Sequence, residues 1–340
     1  MQKKKELFRP EDYKKDLPPE STVDFGERGK GQIYVWDEKT VFAVQVAQIT
    51  ERPLLLRGPA GSGKSSLAPF VAITLDHAFY PFTVTARTQA RDMLWGFDAL
   101  GRLNDANVSR VDEDAQKRVT DCRNYLTPGP LWWAFDPQNA SRRGTTGAET
   151  SPVPPAKDPA GQKQSKGAVV LIDEIDKADP DVPNNLLEVL GSHRFTVHET
   201  GDVIRDRRSP LVIITTNEER ELPGAFLRRC VVLHLTEKTA DQLVTIAEKH
   251  YGGERSGLYE AVAQTLVQLR HEAEGQGHRP PSTAEFLDAI RACIDLDIQV
   301  RRPGAGEENA DAESAPAWKY WDDLVEMTLT KRPAPKQQTR

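Results

Sequence analysis

The 340-residue sequence predicts an α/β protein built on a mostly parallel sheet and followed by a small all-α domain. Three observations predict it. Short apolar β-type runs alternate with helical stretches between residues 38 and 236, as strands joined by crossover helices do. The first of these runs leads directly into the glycine-rich segment Gly58-Pro59-Ala60-Gly61-Ser62-Gly63-Lys64-Ser65, and a helical pattern follows. From Thr239 onward the spacing of apolar residues becomes helical.

Taken in order, residues 1–37 are polar and punctuated by Pro and Gly, including Gly26–Gly31, and read as a lead-in arm rather than a packed domain. The stretch EKTVFAVQVAQIT places Val41, Val44, Ala47 and Ile49 at helical spacing. Strands are predicted at Pro53–Arg57, Phe82–Thr85, Ala168–Ile172, Leu211–Thr215 and Val231–Leu235, within an α/β domain over 38–236. Inside that domain, residues 136–166 are rich in Pro, Gly, Ser, Thr and Lys with almost no large apolar side chains, which predicts a mobile surface excursion. Trp132 and Trp133, just before it, are expected in the core.

The helical domain is predicted over 237–300. Thr239 and Gln242 form a capping box ahead of Leu243, Ile246 and Ala247, and Gly252 is the stop. A second helix starts at Ser256, and a third is capped by Ser282 with Glu285, carrying Phe286, Ile290, Cys293 and Ile294 on one stripe. Residues 301–316 read as an acidic linker. Residues 317–340 form a C-terminal helix and tail, with Trp318, Trp321, Leu324, Val325 and Thr328 on a face expected to dock on a neighbouring surface.

Composition excludes several classes. The net charge of −6 and 28% charged residues describe a solvated surface of mixed sign and argue against a dedicated nucleic-acid binder. No run of about 18 apolar residues occurs, and the N-terminal lysines are followed by no apolar stretch, so a soluble, cytoplasmic protein without a membrane partner is expected. Cys122, Cys230 and Cys293 are widely spaced and lack CxxC spacing, which predicts reduced thiols rather than a disulfide framework or zinc cage.

The segment Gly58 to Ser65 matches GxxxxGK[ST] between a strand and a helix. Such glycines let successive backbone N–H groups curl around phosphates at a helix N-terminus, where the macrodipole favours negative charge. Residues Gly58 through Ser66 are therefore candidates for binding a nucleotide, with Lys64 on the β- and γ-phosphates and Ser65 on Mg²⁺. Pro69 lies inside the expected helix and predicts a kink there. The apolar strand ending in Asp173 and Glu174 supplies what phosphoryl transfer needs, a carboxylate for Mg²⁺ (Asp173) and a group to activate water (Glu174). Asp176 reads as a surface or capping acid. Asn217, ending the apolar strand that starts at Leu211, puts an amide where an attacking water would lie if the two strands are neighbours. His271 and His278 do not have HExxH spacing, and Asp176-Lys177-Ala178-Asp179 begins with the wrong residue for the guanine-reading NKxD, which favours ATP over GTP.

In this order the segments RPLLLRGPAGSGKSSLA, YLTPGPLWWAF, VVLIDEIDKADPDVPNNLLEVL, IITTNEERELPGAFLRRC and HRPPSTAEFLDAI resemble AAA+ ATPases, and more narrowly the MoxR-like group, over roughly residues 35–300. The resemblance implies an αβα core with a helical lid, a helix-2 insert after the second strand, and a pre-sensor hairpin over Arg194–Arg207. It implies that Asn217 is the sensor-one residue, Arg229 an arginine finger with Arg228 as helper, and Arg279 sensor two. It further implies a ring-forming homo-oligomer, hexameric by preference, that hydrolyses ATP with Mg²⁺ to remodel or mature a partner, often a protein with a von Willebrand A domain. Two other readings share the same site: a nucleotide-dependent assembly switch in a bacterial defence or signalling system, and a DNA-linked motor subunit of restriction type.

Overall fold

Asp37, in extended backbone, accepts a hydrogen bond from the Thr40 N–H at 2.8 Å and so starts helix α1 (Glu38–Thr50). The computed structural model describes residues 8–9, 34–108, 116, 119–144, 156–160, 165–276, 279–300 and 315–330. Most of the arm over 1–37, including Gly26–Gly31, and most of the acidic linker over 301–316 lie outside the described residues. Phe8 of the arm is nevertheless packed: its ring lies 4.8 Å from that of Trp36, and its backbone exchanges hydrogen bonds with Gln48 and Gln45 of α1.

Five strands form one parallel sheet: β1 (Leu54–Arg57), β2 (Ala78–Thr83), β5 (Ala168–Asp173), β8 (Leu211–Thr216) and β9 (Val231–His234), in the order β2-β5-β8-β1-β9. The three central strands are apolar along their length because helices cover both faces of such a sheet. Strand β2 begins four residues before the expected Phe82 and ends at Thr83. Pro81 obscures it in sequence, yet β2 is an edge strand, where a proline costs no ladder hydrogen bond on the outward side.

Helix α2 (Lys64–Thr74) is continuous through Pro69. A proline at this position removes the N–H that would serve the Ser65 carbonyl, a single bond near the helix start. After β2 come β3 (Trp95–Phe97), α3 (Ala99–Val108) and β4 (Leu126–Pro128), with β3 and β4 paired antiparallel. Next are α4 (Pro130–Phe135) and α5 (Pro137–Arg142). Trp132 and Trp133 are buried in the core, as their sequence position predicts.

The stretch 136–166 departs from a purely superficial excursion. Asp136 caps α5, Ala140 is buried, Trp132 Nε1 donates to Asn139 Oδ1 at 2.8 Å, and Tyr80 Oη donates to Asp158 at 3.3 Å. Small and amide side chains anchor this segment, so composition hides its packing; residues 145–155 and 161–164 lie outside the described residues. Beyond β5, α6 (Asp181–Ser192) precedes the antiparallel hairpin of β6 (Arg194–Thr196) and β7 (Val203–Arg205), and the short α7 (Gly224–Leu227) precedes β9.

The chain divides into two compact units between Leu235 and Thr236, with Pro59–Gly63 grouped with the second. The second unit contains α8 (Ala240–Tyr251), α9 (Ser256–Gln276), α10 (Thr283–Asp295) and α11 (Ala315–Leu324), which continues as a π-helical turn over Val325–Thr330. The Thr239 and Ser282 capping boxes are both formed. Trp321 and Leu329 enter the core built by Leu243, Tyr259, Leu266, Phe286 and Ile290. Buried Arg270 ties the unit together through Glu237 and the carbonyls of Lys238 and Pro281. Among the described residues no helix is long and apolar enough to cross a membrane.

Candidate active site

Because the five strands are parallel, their carboxyl ends lie along one edge of the sheet, where open α/β folds place ligands. β1 leaves that edge at Gly58, and Gly58, Gly61 and Gly63 have φ of 139°, 78° and 93°, values at which any side chain is strained. Gly61 has a steric requirement as well: a Cβ there would lie 2.1 Å from Ser282 Cβ. Lys64, at the start of α2, is only 5% exposed, and its Nζ donates to the Gly58 carbonyl at 2.8 Å. Burial lowers the pKa of this ammonium, and Asp173, Asp176 and Glu174 oppose that shift by attraction.

Asp173 closes β5, and its Oδ1 accepts from Ser65 Oγ at 2.8 Å and from Thr215 Oγ1 at 2.5 Å. The same Thr215 hydroxyl accepts the Glu174 N–H at 2.9 Å. Glu174 itself stands in the left-handed region, φ 60° and ψ 50°, so the chain turns sharply where the strand ends. Its carboxylate is held on both oxygens: Oε1 accepts from Asn217 Nδ2 at 3.1 Å and Oε2 from Lys177 Nζ at 2.5 Å. Glu218, next to Asn217 and also left-handed at φ 62°, forms an ion pair with Arg57 at the end of β1.

Of the sequence-predicted residues, Ser65, Asp173, Glu174 and Asn217 are therefore joined in one hydrogen-bonded chain through Thr215, while Lys64 bonds to the Gly58 carbonyl and is drawn to Asp173 and Glu174 by charge. Ser66 is exposed on the first turn of α2. Arg228 and Arg229 are exposed between α7 and β9; the Arg229 guanidinium donates to the Ala225 carbonyl at 3.5 Å, and among the described residues neither arginine is joined to these groups by a hydrogen bond or ion pair. Arg279 belongs to the second unit, where it reaches Glu285 at 3.8 Å.

Asp176 is not the surface acid its position suggests. It is 3% exposed, Oδ2 accepts the Glu219 N–H at 2.9 Å, and Oδ1 has no hydrogen-bond partner. The 3₁₀ turn Ile175–Lys177 bends back over the sheet edge, which carries Asp176 inward. Thr215 and Lys177 were not predicted from sequence. A threonine late in an apolar strand reads as ordinary β propensity, whereas Lys177 could have been found from its i+3 spacing to Glu174.

These groups fit a nucleotide phosphate chain with Mg²⁺. Positive-φ glycines leave the turn without side chains, and Lys64 supplies the opposing charge. Ser65 and Asp173 offer one hydroxyl and one carboxylate, all-oxygen ligands of the kind Mg²⁺ takes together with phosphates and water. Among the described residues no group of three or more His, Cys, Asp or Glu side chains could hold a metal alone.

Fold and site together define a P-loop nucleotide-binding protein. Residues 53–230 match the AAA domain (dynein-related subfamily), and the chain belongs to this family of AAA+ ATPases. It is 27% identical over 294 residues to a mitochondrial Lon protease homolog of Phaeodactylum tricornutum, covering 82% of this chain and 28% of that protein. A mitochondrial Lon protease homolog of Yarrowia lipolytica is 26% identical over 214 residues, covering 59% of this chain and 14% of the relative. The chain thus spans less than a third of the length of either. Among solved structures, a mutant of Thermotoga maritima RuvB aligns with a TM-score of 0.38 at 14% identity, over 85% of this chain and 75% of that one.

Proposed function

We propose that this chain is a Mg²⁺-dependent ATPase of the MoxR-like kind that remodels or matures a partner protein. The observation that carries the reading is the linkage of Ser65, Asp173, Thr215, Glu174 and Asn217 beside buried Lys64. Ser65 and Asp173 would hold Mg²⁺, which when bound neutralises phosphate charge. Gly58 to Ser66 would face the phosphates with backbone N–H groups, and Lys64 would exchange its bond to the Gly58 carbonyl for a phosphate oxygen. Glu174 would orient a water and take its proton, with Asn217 fixing the carboxylate.

Arg229, with Arg228 beside it, is exposed, which suits a group that completes the site of a neighbouring copy in a ring, hexameric by preference. Arg279 is the sensor-two candidate. A protein with a von Willebrand A domain is the proposed partner; the similarity to proteins named Lon protease homologs favours action on protein over nucleic acid.

Calorimetric titration with Mg-ATP tests the site. The unaltered chain should bind, and Lys64→Ala should lose tight binding because the ammonium that faces the phosphates is gone. Equal affinity in the two proteins would remove the assignment.

A further inference from the structure

The Glu174 carboxylate is held from two sides, and the two partners differ in kind. Asn217 is a neutral amide just past the end of β8. Lys177 is a cation three residues along the chain, 42% exposed, with its ammonium 2.5 Å from Oε2. Its turn is well anchored: Ile175 is fully buried, Asp176 accepts the Glu219 N–H, and the Lys177 N–H returns to the Glu174 carbonyl at 3.0 Å. The lysine stem therefore rises from a fixed base beside a carboxylate whose own backbone Thr215 pins. Both carboxylate oxygens are thus engaged at rest, Oε1 by the Asn217 amide and Oε2 by the Lys177 ammonium.

We propose that Lys177 is a positioning residue that holds the Glu174 carboxylate in a resting state, so that hydrolysis requires this ion pair to open. The inference rests on the ATPase reading above, with Glu174 as the base. A half-exposed pair is weak enough to open at every turnover, and a charge-assisted bond is strong enough to set the resting position. Removing the cation should raise kcat about fivefold, a barrier change of about 1 kcal/mol, without altering how nucleotide binds.

The experiment compares the unaltered chain with Lys177→Met, Lys177→Arg, Glu174→Gln and the Glu174→Gln/Lys177→Met double variant. Lys177→Met should show the raised kcat with KM for Mg-ATP within about twofold of the unaltered chain. Lys177→Arg keeps the cation and should bring kcat back towards its starting value, while the double variant should be as inactive as Glu174→Gln. A second readout needs no nucleotide. Thermal melts of Lys177→Met, Glu174→Ala and their combination should be non-additive, because the first change already breaks the pair. Additive melts, a kcat for Lys177→Met at or below that of the unaltered chain, or an equal gain in Lys177→Arg would overturn the proposal. If Glu174→Gln alone keeps full turnover, the ATPase reading fails in its choice of base, and the restraint falls with it.

Discussion

Thr215→Val removes one buried hydroxyl and almost nothing else. Valine keeps the β-branched shape of a fully buried strand residue, so no cavity opens and strand preference is retained. Two bonds are lost: the short donation to the Asp173 carboxylate at 2.5 Å and the acceptance of the Glu174 N–H at 2.9 Å. A hydrogen bond to a charged group contributes about 1.5–3 kcal/mol, and a stranded buried donor costs about 1–3 kcal/mol. Glu174 is partly exposed, so water recovers some of the second cost, and the sum is about 2–4 kcal/mol. For a unit of this size that lowers the melting temperature by roughly 5–12 °C. Scanning calorimetry reads it directly, with Thr216→Val as the control, since among the described residues Thr216 Oγ1 accepts a single bond, the Glu218 N–H at 3.0 Å, and its loss should cost about 1 kcal/mol. Turnover should fall in Thr215→Val, because the hydroxyl bridges Asp173 to the left-handed turn that aims Glu174. A loss below about 0.5 kcal/mol would refute the claim that Thr215 holds these two acids together.

Two further outcomes follow from buried groups elsewhere. Burial, with Arg208 and Lys166 alongside, pushes the His77 imidazole down from 6.5 to about 4. The unfolded chain then binds the proton more readily, so this contribution is complete above about pH 6.5 and is lost as pH falls towards 4. Between about pH 7.5 and pH 5 the loss is about 2 kcal/mol, and denaturant unfolding of His77→Gln should show a correspondingly flatter pH dependence; identical slopes would contradict the burial argument. In the second unit, Trp321 is 3% exposed within the helical core, so Trp321→Ala should destabilise that unit by about 3–5 kcal/mol in chemical unfolding. A cost near zero would mean that α11 contributes little to the core.

How legible each feature is in the sequence depends on whether its physics is local. β1, β5 and β8 stand out because central parallel strands are continuous apolar runs, and Gly58 to Ser65 because the phosphate turn demands glycine at fixed positions. The Thr239 and Ser282 capping boxes are local too, each set by residues three apart. β2 is blurred because Pro81 is a strand breaker everywhere except at an edge, and edge position is a property of the assembled sheet. Asp176 and Thr215 have roles set by tertiary contact, in that the turn after β5 folds inward and β8 comes to lie beside β5. α5 is masked by a polar composition whose few anchors, Asn139 and Ala140, carry no apolar signature. The exposed Arg228 and Arg229 have proposed roles that depend on a second copy of the chain, beyond the reach of any single-chain periodicity.

The central claim is that Glu174, set by Thr215 and Asn217, is the base of an ATP-hydrolysing site, and Glu174→Gln tests it most directly. Mg-ATP binding and steady-state turnover should be measured on the same preparation of the variant and of the unaltered chain. The amide keeps the shape of the side chain and cannot take a proton, so affinity should stay within a few-fold while turnover falls by about a hundredfold or more. A variant that hydrolyses ATP at the rate of the unaltered chain would contradict the account.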